Sequence, residues 1–510
     1  MTLTGTQFSK DQAEAYDRIV EWLREAGVDV RRGRLKRARK RGRSAVAVLG
    51  RAGSGKTMLL SRVFRDLDGA GVRPVTGDGQ NDSQKNRRTL SILAPTNKAA
   101  SVLRSGGVPA TTIHRILYTP VYDPKYQTVA DWLASGGGRP AIAGLTDAAL
   151  DRAREFYKAN RSVPGALATA GLRGSDFITG WTRRDDPLDI GLVDEASMLD
   201  ERALEDLRKI FPTLILFGDP GQLAPVGDSG KMVFDRLDRS RKLELSRVHR
   251  QTAGNPILDL AHSLDYGSLE FEDFERRISQ AALQDDRVTV CPRANTDLMA
   301  RSPVLVWRNA TRVRLIRAFR SAHGAPPDGL LPGEPLVCDG IELPQKLRHR
   351  RIELEARGLI KGAQVIYLGP GNKPGFSRVH VMGAEDPRTG VASIVKIEVP
   401  DQEEPLIPVA ARMGATFLHG AAVTIHKAQG SQWPVVQVFA PDIRAAARSG
   451  LVESGVHLWK RLAYVAVTRA QERLMWVTRY ALAKPEGKLA TDDLKAEPCK
   501  METMIGNTDS

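Results

Sequence analysis

The sequence predicts an α/β protein built on parallel sheets, and three features of the chain support this. Short apolar segments alternate with segments of helical periodicity, which is the pattern of buried strands covered by helices on both faces. The first clear strand, residues 44–50, is followed by a glycine-rich loop and a helix. At 510 residues the chain is too long for one hydrophobic core, so we expect roughly two to four domains.

The first domain can be assigned in chain order. A helix is predicted over residues 8–26, where Ser9 and Gln12 have the spacing of a capping box. Nine of the thirteen residues in 31–43 are then basic, a run that could contact a nucleic-acid backbone, form a solvated loop or act as a nuclear-localisation signal. After residues 44–50, the strands predicted for the same sheet are residues 90–96, 189–195 and 213–219.

Two segments interrupt this pattern. Residues 112–185 are rich in Gly and Pro with mixed charge, which indicates an insertion into the first domain. Residues 330–415 contain short β-like segments separated by Gly, Pro and Asp, which predict a small β-barrel inserted into a second domain.

The second domain repeats the α/β pattern. It begins near residue 240, includes a predicted strand within 302–309, and resumes at 421–430. It is predicted to end with a helix over residues 458–474 and a strand over 475–478, before a charged, loose tail.

The charge balance indicates a polyanionic partner. The chain has 75 Lys and Arg against 60 Asp and Glu, a net charge of +15 and a pI of about 9.8. Each phosphate that a cation neutralises releases counterions, which favours nucleic-acid binding. A chain that is merely basic is the alternative that net charge alone leaves open.

The cysteines and the N-terminal residues indicate an intracellular protein. Cys291, Cys338 and Cys499 lie far apart, a spacing typical of neither a disulfide framework nor a zinc site. The N-terminal residues lack the pattern of a secretory signal, and no apolar segment reaches the roughly 18 residues that cross a bilayer. We therefore expect a cytoplasmic protein without membrane contacts.

Residues 50–57, GRAGSGKT, match the phosphate-binding pattern G-x-x-x-x-G-K-[ST] between a strand and a helix. Lys56 is expected to reach the β- and γ-phosphates, and the Thr57 hydroxyl to ligate Mg²⁺. Backbone amides converge on phosphates most easily where no Cβ intervenes, which here concerns Gly50, Gly53 and Gly55. The motif predicts ATP and Mg²⁺ as cofactors.

Two acidic residues, Asp194 and Glu195, end a predicted strand where a P-loop protein places its second acidic motif. Asp194 is expected to hold the Mg²⁺ shell, and Glu195 to orient and deprotonate the attacking water. Adjacent acidic residues after a strand often only cap a helix. The pair indicates a catalytic site here because the same chain also has a P-loop. Together the two motifs predict hydrolysis of a nucleoside triphosphate.

Transporters, kinases and GTPases share the P-loop, so other residues must decide the class. GDPGQLAPV at residues 218–226 resembles motif III of superfamily 1 helicases. Further segments resemble the other motifs of this superfamily and occur along the chain in the same order as in the family. They are the Q motif at Gln12, motif Ia at 94–100, Ib at 112–117, IV at 245–251, V at 424–433 and VI at 464–470. The residues of motif III, and the HKAQG segment of motif V, are similar to the corresponding motifs of the RecD-like and Dda-like branch, superfamily 1B.

This resemblance implies two RecA-like P-loop parallel-sheet domains with an inserted pin subdomain and a small SH3-like β-barrel insertion. The boundaries that it implies are residues 1–111 and 186–240 for domain 1A, 112–185 for 1B, 241–329 and 416–484 for 2A, 330–415 for 2B, and 485–510 for a flexible tail.

The resemblance also implies roles for residues at the cleft between the two sheet domains. Arg250 and Arg469 match the arginines of motifs IV and VI that reach the γ-phosphate from the second domain. The other matching positions are Gln12, which would read the adenine, and Gln222 and Gln429, which would sense the γ-phosphate and link it to domain closure. Gly430, next to Gln429, is assigned to nucleotide binding.

Nucleic-acid contacts are expected on a different face of the same domains. The positions that match backbone contacts in the family are Thr96, Asn97, His114, Thr424 and His426. Hydrogen-bonded buried histidines are the alternative for His114 and His426. In the insertion, Trp132, Phe156 and Tyr157 are candidates for base stacking, although core packing is favoured for each.

The function implied is an ATP-dependent DNA helicase that moves 5′→3′ on single-stranded DNA. The alternative is a translocase on single-stranded DNA or RNA that does not itself unwind duplex, while a scaffold with a dead ATPase site conflicts with the intact set of site residues. Expected partners are single-stranded DNA and single-strand/duplex junctions, with single-strand-binding or replication proteins as further candidates. A monomer is the expected functional unit.

Overall fold

A computed structural model describes most of the chain. The described residues are 8–36, 44–76, 88–122, 128–129, 131–133, 138–140, 146–160, 166, 178–184, 186–225, 231–246, 254–265, 267–327, 329–342, 354, 357–372, 375–382, 384, 387–396, 414–453 and 455–489. Among these residues no helix is long and apolar enough to cross a membrane.

The strands of the described residues are, in chain order, β1 (Val28–Asp29), β2 (Arg34–Leu35), β3 (Ser44–Gly50), β4 (Arg73–Pro74), β5 (Thr89–Ala94), β6 (Ala110–Thr112), β7 (Tyr118–Tyr122), β8 (Ile178–Arg183), β9 (Ile190–Val193), β10 (Thr213–Gly218), β11 (Lys242–Leu245), β12 (Val288–Cys291), β13 (Val304–Val306), β14 (Pro335–Glu342), β15 (Gln364–Pro370), β16 (Phe376–Val381), β17 (Arg388–Lys396), β18 (Gly414–His419), β19 (Ala422–Thr424), β20 (Trp433–Phe439), β21 (Val452–Glu453), β22 (Val456–His457) and β23 (Ala470–Val477).

The helices of the described residues are α1 (Lys10–Glu25), α2 (Lys56–Gly69), α3 (Asn97–Ser105), α4 (Ile113–Leu117), α5 (Asp147–Asn160), α6 (Glu201–Ile210), α7 (Pro256–Ser263), α8 (Phe271–Gln284), α9 (Thr296–Met299), α10 (Asn309–Ala322), α11 (Ile425–Ala428), α12 (Ala440–Ser449) and α13 (Leu458–Val467). Short 3₁₀ turns span Ala196–Met198 and Arg239–Arg241.

The first sheet is parallel throughout, as the sequence predicts. Its strands run in the order β11-β3-β10-β9-β5-β4, with β6 paired to β5. Strands such as SAVAVLG are buried on both faces, which requires helices or loops on each side of the sheet. Because the strands are parallel, the loops that follow β3, β5, β9 and β10 all lie at the carboxyl edge of the sheet.

The second sheet is also parallel, with the order β12-β23-β20-β13-β19. The α/β fold class with two parallel sheets is therefore confirmed. Strands β14 to β18 close into a separate barrel between β13 and β19 of the chain. Its last strand ends at His419, four residues beyond the predicted limit of the barrel segment, because β18 pairs with both β14 and β17. The SH3 type of this barrel stays a prediction.

The insertion after α4 contains a two-stranded antiparallel pair, β7 and β8, and the helix α5. Trp132 is buried, which agrees with core packing rather than base stacking for that residue. The pin assignment and the domain boundaries stay predictions.

Two local predictions can be compared directly with the structure. The helix predicted over residues 8–26 is confirmed as α1, and the Gln12 side chain accepts a hydrogen bond from the Ser9 backbone N–H at 3.0 Å. The helix predicted over residues 458–474 is wrong after residue 467, and the strand predicted over 475–478 begins earlier, at Ala470. Residues 470–474 have helix-forming side chains, but their backbone pairs with β20 and β12, so the tertiary ladder overrides local propensity.

Candidate active site

The P-loop connects β3 to α2 at the carboxyl edge of the first sheet. Gly53 and Gly55 have φ values of 80° and 81°, a region that side chains with a Cβ rarely enter, and Gly55 is the N-cap of α2. A Cβ at Gly50 would lie 2.3 Å from Ser54 Oγ, so the tight loop requires glycine there as well. Thr57 is exposed in the first helical turn. The loop has the geometry that the motif predicts.

The Lys56 ammonium lies inside this loop. Its Nζ donates hydrogen bonds to the carbonyl oxygens of Gly50 at 2.6 Å and Arg51 at 3.1 Å. It also lies 4.0 Å from Asp219 Oδ2, and the Lys56 side chain is 14% exposed. The cation is therefore held over the loop, with a buried carboxylate from the end of β10 as its counter-charge.

Gln12 reaches the P-loop from α1. Its side chain is fully buried, and Nε2 donates to the carbonyl oxygen of Ser54 at 2.9 Å. Since Oε1 accepts from the Ser9 backbone, both ends of the amide bind protein atoms in this structure. The structure thus brings Gln12 to the phosphate loop, where it fixes the loop backbone. Adenine recognition by Gln12 stays a prediction.

Asp194 and Glu195 follow β9, which β10 separates from the P-loop strand β3 in the sheet. Burial raises the pKa of Asp194, and the neighbouring Glu195 carboxylate raises it further. Glu195 has a φ of 51°, and it is the one residue other than glycine with a positive φ among those that the structure describes. A left-handed conformation of this kind costs of order 1–3 kcal/mol and is typical of functional sites.

Gln222 connects the acidic motif to motif III. Its Nε2 donates to Glu195 Oε2 at 2.9 Å, and its Oε1 accepts from Ser197 Oγ at 3.0 Å. Gln222 is buried, so the amide is held at both ends in a fixed orientation. Any movement of Gln222 is therefore transmitted to the Glu195 carboxylate.

The opposite wall of the cleft is α13, which carries the first part of motif VI. The Tyr464 hydroxyl donates to Asp219 Oδ2 at 2.7 Å and accepts from the P-loop backbone N–H of Ala52 at 2.8 Å. Burial and the Asp219 carboxylate raise the pKa of Tyr464 well above its usual value, which keeps the hydroxyl protonated. One tyrosine thus bridges the P-loop and motif III from the second domain.

Further contacts join the two walls. Arg461 Nη1 donates to the carbonyl oxygens of Pro220 at 3.0 Å and Gln222 at 2.5 Å. The Arg51 guanidinium lies over the Tyr464 ring, 4.9 Å from its centroid, and pairs with Asp265. Sequence reasoning missed Asp219, Arg461 and Tyr464 as site residues. Asp219 and Tyr464 lie inside the motif III and motif VI segments, which was the available signal for those two.

Arg469 is buried at the end of α13. Its three nitrogens donate to Val465 O at 3.0 Å, Ser431 O at 3.1 Å and Thr468 Oγ1 at 3.1 Å, all within the second domain. Burial lowers the pKa of Arg469, whereas the Glu195 and Asp219 carboxylates favour its charged form. Arg469 thus faces the acidic wall electrostatically while its hydrogen bonds stay within its own domain, and its finger role stays a prediction. Arg250 lies outside the described residues.

The other two motif V positions of the cleft also lie close to the first domain. Gln429 Nε2 donates to Leu223 O at 3.3 Å, next to Gln222. Gly430 has a φ of 71°, and a Cβ there would lie 3.4 Å from Thr96 Oγ1. Motif V therefore meets motif III and motif Ia.

The predicted nucleic-acid positions cluster at the starts of short helices. The Thr96 and Thr424 hydroxyls accept from Ala99 N at 3.1 Å and Lys427 N at 3.4 Å, and so cap α3 and α11. Asn97 is the first residue of α3. Gly430 therefore lies close to Thr96, which brings the two capped helices near each other across the domain boundary.

The two predicted histidines lie in separate helices. His426 is in α11 beside Thr424, whereas His114 is in α4, where its ring lies 5.1 Å from the Tyr118 ring. Partial desolvation lowers the pKa values of the exposed His114 and the half-buried His426, which favours neutral imidazoles. The structure thus brings His426 to the capped helices, while a place for His114 on the same track stays a prediction.

Two protein families match the chain. The family described as AAA domain matches residues 32–286, which is half of the chain. The family described as UvrD-like helicase C-terminal domain matches residues 419–477.

The relatives that share sequence with the chain include a DNA helicase and a conjugal transfer protein. The ATP-dependent RecD2 DNA helicase of Deinococcus radiodurans is 36% identical over 84 residues, 16% of this chain and 12% of that protein. The probable conjugal transfer protein TraA of Sinorhizobium fredii is 27% identical over 374 residues, 68% of this chain and 31% of that protein. The chain thus spans less than a third of the length of either relative.

Solved structures resemble the chain at low identity. The Pif1 helicase from Candida albicans has a TM-score of 0.46 at 15% identity, over 93% of this chain and 95% of that one. The Pif1 helicase from Bacteroides in complex with ADP-AlF3 and ssDNA has a TM-score of 0.44 at 14% identity, over 96% and 97%.

Proposed function

We propose that this chain, which belongs to the AAA-domain family and also matches the UvrD-like helicase C-terminal domain, is a superfamily 1B helicase that hydrolyses ATP to move along single-stranded DNA and unwind duplex. The observation that carries this proposal is the two-walled cleft. One wall presents the P-loop with Lys56, Glu195 and Gln222, and the other presents Tyr464 and Arg469 from a separate sheet domain. A nucleotide bound between two domains can change their separation, which is the requirement for a motor.

The first wall fits a nucleoside triphosphate with Mg²⁺. Ser54 Oγ is buried inside the P-loop and has no hydrogen-bond partner among the described residues, as expected for a loop that closes on a ligand. The Asp194 carboxylate and the Thr57 hydroxyl are oxygen ligands of the kind that Mg²⁺ prefers. When bound, Mg²⁺ supplies charge stabilisation at the β- and γ-phosphates.

The protein's own residues bind the phosphates, accept the proton of the attacking water and stabilise the developing charge. Lys56 moves from the loop carbonyls to the phosphates, and Glu195, oriented by Gln222, accepts a proton from the attacking water. Arg469, with Arg250 as its partner from motif IV, stabilises the charge that develops on the γ-phosphate. For this, Arg469 must leave its bonds to Ser431 and Val465 as the cleft closes.

Single-stranded DNA is the proposed substrate because the similar protein RecD2 of Deinococcus radiodurans is an ATP-dependent DNA helicase. The chain's excess of 15 positive charges also favours a polyanion. Thr96, Asn97, Thr424 and His426 lie at helix starts, whose backbone amides suit phosphate oxygens without reading base sequence. We assign His114 to the same track from its motif.

The 5′→3′ direction follows from the branch alone and is part of the proposal. A single-strand translocase on DNA or RNA that does not unwind is the second candidate, because the strand-separating pin has no assigned residues. The unit of action is proposed to be a monomer in the cytoplasm, working at single-strand/duplex junctions and with single-strand-binding or replication proteins as candidate partners.

Steady-state ATP hydrolysis with and without a single-stranded oligonucleotide tests the proposal. We expect Mg²⁺-dependent turnover that the oligonucleotide stimulates. Absence of turnover under both conditions would contradict the ATPase, and turnover that single strands leave unchanged would contradict the motor.

A further inference from the structure

Trp433 lies where three parts of the molecule meet. It is the first residue of β20 in the second sheet, and it is buried. Its indole Nε1 donates to Gln364 Oε1 at 2.8 Å, and Gln364 is the first residue of the barrel strand β15. From the first domain, the Lys98 ammonium of α3 lies over the indole ring, 5.1 Å from its centroid. A single side chain therefore contacts both sheet domains and the barrel.

Trp433 is also attached directly to Arg469. The backbone N–H of Trp433 donates to the carbonyl oxygen of Arg469 at 3.0 Å. Gln364, the barrel partner, donates from Nε2 to Arg301 O at 2.7 Å, which anchors the indole to the second domain through a second path. The ring face that receives Lys98 is thus held in a fixed position relative to Arg469.

Lys98 is the member of this group that the first domain contributes. It lies in the second position of α3, next to Asn97 and close to the Thr96 hydroxyl that meets Gly430. Burial, with a smaller contribution from the positive charge of Arg469, lowers the pKa of Lys98 to about 8. The ammonium is therefore partly desolvated, a state that an approaching phosphate would relieve.

The two alternatives for the Lys98 ammonium differ in strength. A cation over an indole ring gains roughly 0.5–2 kcal/mol, whereas a charge-assisted contact with a phosphate is one of the strong hydrogen bonds of proteins. A nucleic-acid backbone bound at the start of α3 would therefore draw Lys98 off the ring. Departure of Lys98 ends the contact that ties Trp433 to the first domain, and Arg469, which is bonded to Trp433, is then free to move with it.

We propose that Lys98 and Trp433 form the element that couples nucleic-acid binding to ATP turnover. Without a strand, Lys98 rests on Trp433 and holds back Arg469; with a strand, Lys98 binds a backbone phosphate and Arg469 is released toward the cleft. Lys98 is then a phosphate-binding residue, and Trp433 is a positioning residue that acts through Arg469. This inference rests on the proposed function.

The test compares basal turnover, stimulated turnover at saturating oligonucleotide, and the oligonucleotide Kd from fluorescence anisotropy. Lys98→Met and Trp433→Leu remove the cation and the ring face, respectively. For both variants we expect basal turnover to rise, so that the stimulation ratio falls by roughly 3- to 30-fold, the factor equivalent to a cation–π contact. The stimulated kcat should stay within about twofold of the parent value, since the bound strand already draws Lys98 away from Trp433 in the parent protein.

Two further variants serve as controls. Trp433→Phe keeps an aromatic face without the indole N–H and should retain most of the stimulation ratio. Arg104→Gln removes a positive charge from the same helix, at a side chain that donates to Ala110 O at 2.9 Å, and should leave the ratio unchanged.

Three results would overturn the inference. Equal falls of basal and stimulated turnover in Lys98→Met would show a merely structural role. A weaker Kd with an unchanged ratio would show a phosphate contact without coupling. Loss of the ratio in Trp433→Phe to the same degree as in Trp433→Leu would assign the effect to the Gln364 bond. Failure of the proposed function is distinguishable, because the parent protein itself would then lack turnover or stimulation.

Discussion

The hydrogen bond between Gln222 and Glu195 allows the proposed catalytic roles of both residues to be tested in one experiment. Glu195→Gln keeps the shape of the side chain and leaves the left-handed backbone at φ 51° in place, so its effect should be chemical. Loss of a general base costs roughly 10²–10⁴ in rate, about 3–5.5 kcal/mol of transition-state stabilisation. We therefore expect turnover to fall by that factor while nucleotide binding persists.

Gln222→Met should act only through Glu195. It removes the amide that donates to Glu195 Oε2 at 2.9 Å and keeps a side chain of similar length. A hydrogen bond to a charged group contributes about 1.5–3 kcal/mol, which corresponds to roughly 10- to 150-fold in turnover. Ser197→Ala is the matched control, because it removes only the partner at the far end of the Gln222 amide, 3.0 Å away, and should cost about fivefold or less.

The assay is kcat at saturating ATP and oligonucleotide for the parent, both single variants and the double variant. If Gln222 works by orienting Glu195, the double variant should be no slower than Glu195→Gln alone. Independent, multiplicative losses in the double variant would refute the link between the two residues, although each could still matter separately.

Three other changes test separate parts of the site. Lys56→Ala should abolish turnover yet leave oligonucleotide binding measurable, because the P-loop follows β3 whereas Thr96 follows β5, and β10 and β9 lie between these two strands in the sheet; retained turnover would remove Lys56 from the mechanism. Arg469→Ala should reduce turnover by about 10³-fold or more with little loss of ATP binding, as measured with a fluorescent nucleotide, and an unaffected rate would reject the finger assignment. Deletion of residues 31–43 should reduce the slope of log K against log salt by roughly 0.7 for each single-strand phosphate that this run neutralises in the parent protein, and an unchanged slope would return the run to a solvated loop.

The sequence predicted the parts of the site that depend on local order. The P-loop, the acidic pair and Gln222 each follow a short buried strand, and parallel strands bring their carboxyl ends to one edge. Apolar runs of four to seven residues between turn residues were sufficient to predict those strands. The spacing of Ser9 and Gln12 likewise predicted the start of α1.

The contacts across the cleft could not be predicted, because they join residues hundreds of positions apart. Tyr464 meets the P-loop amide of Ala52, and Arg461 meets the carbonyl of Gln222, through the mutual placement of two domains. The strand after residue 469 was missed for a similar reason, since its pairing with β20 outweighs the helix propensity of its side chains. The left-handed backbone of Glu195 has no marker in its residue type.

The position of the basic run after α1 could not be predicted from composition. Its described part, residues 31–36, is exposed, as either interpretation requires. Arg88 Nη1 donates to Lys36 O at 3.2 Å, which ties the run to the amino end of β5. Thr96 follows the opposite end of the same strand. Phosphates bound by residues 31–36 would therefore lie away from the capped helices, a position that charge alone did not indicate.

Strand displacement on tailed duplexes measures both duplex unwinding and the direction of movement. Two otherwise identical DNA duplexes, one with a 5′ single-stranded tail and one with a 3′ tail, are incubated with the protein, ATP and Mg²⁺. We expect release of the displaced strand from the 5′-tailed duplex alone. Unwinding from the 3′ tail would contradict the direction, and no unwinding from either tail, with oligonucleotide-stimulated ATPase intact, would contradict the helicase and leave a translocase.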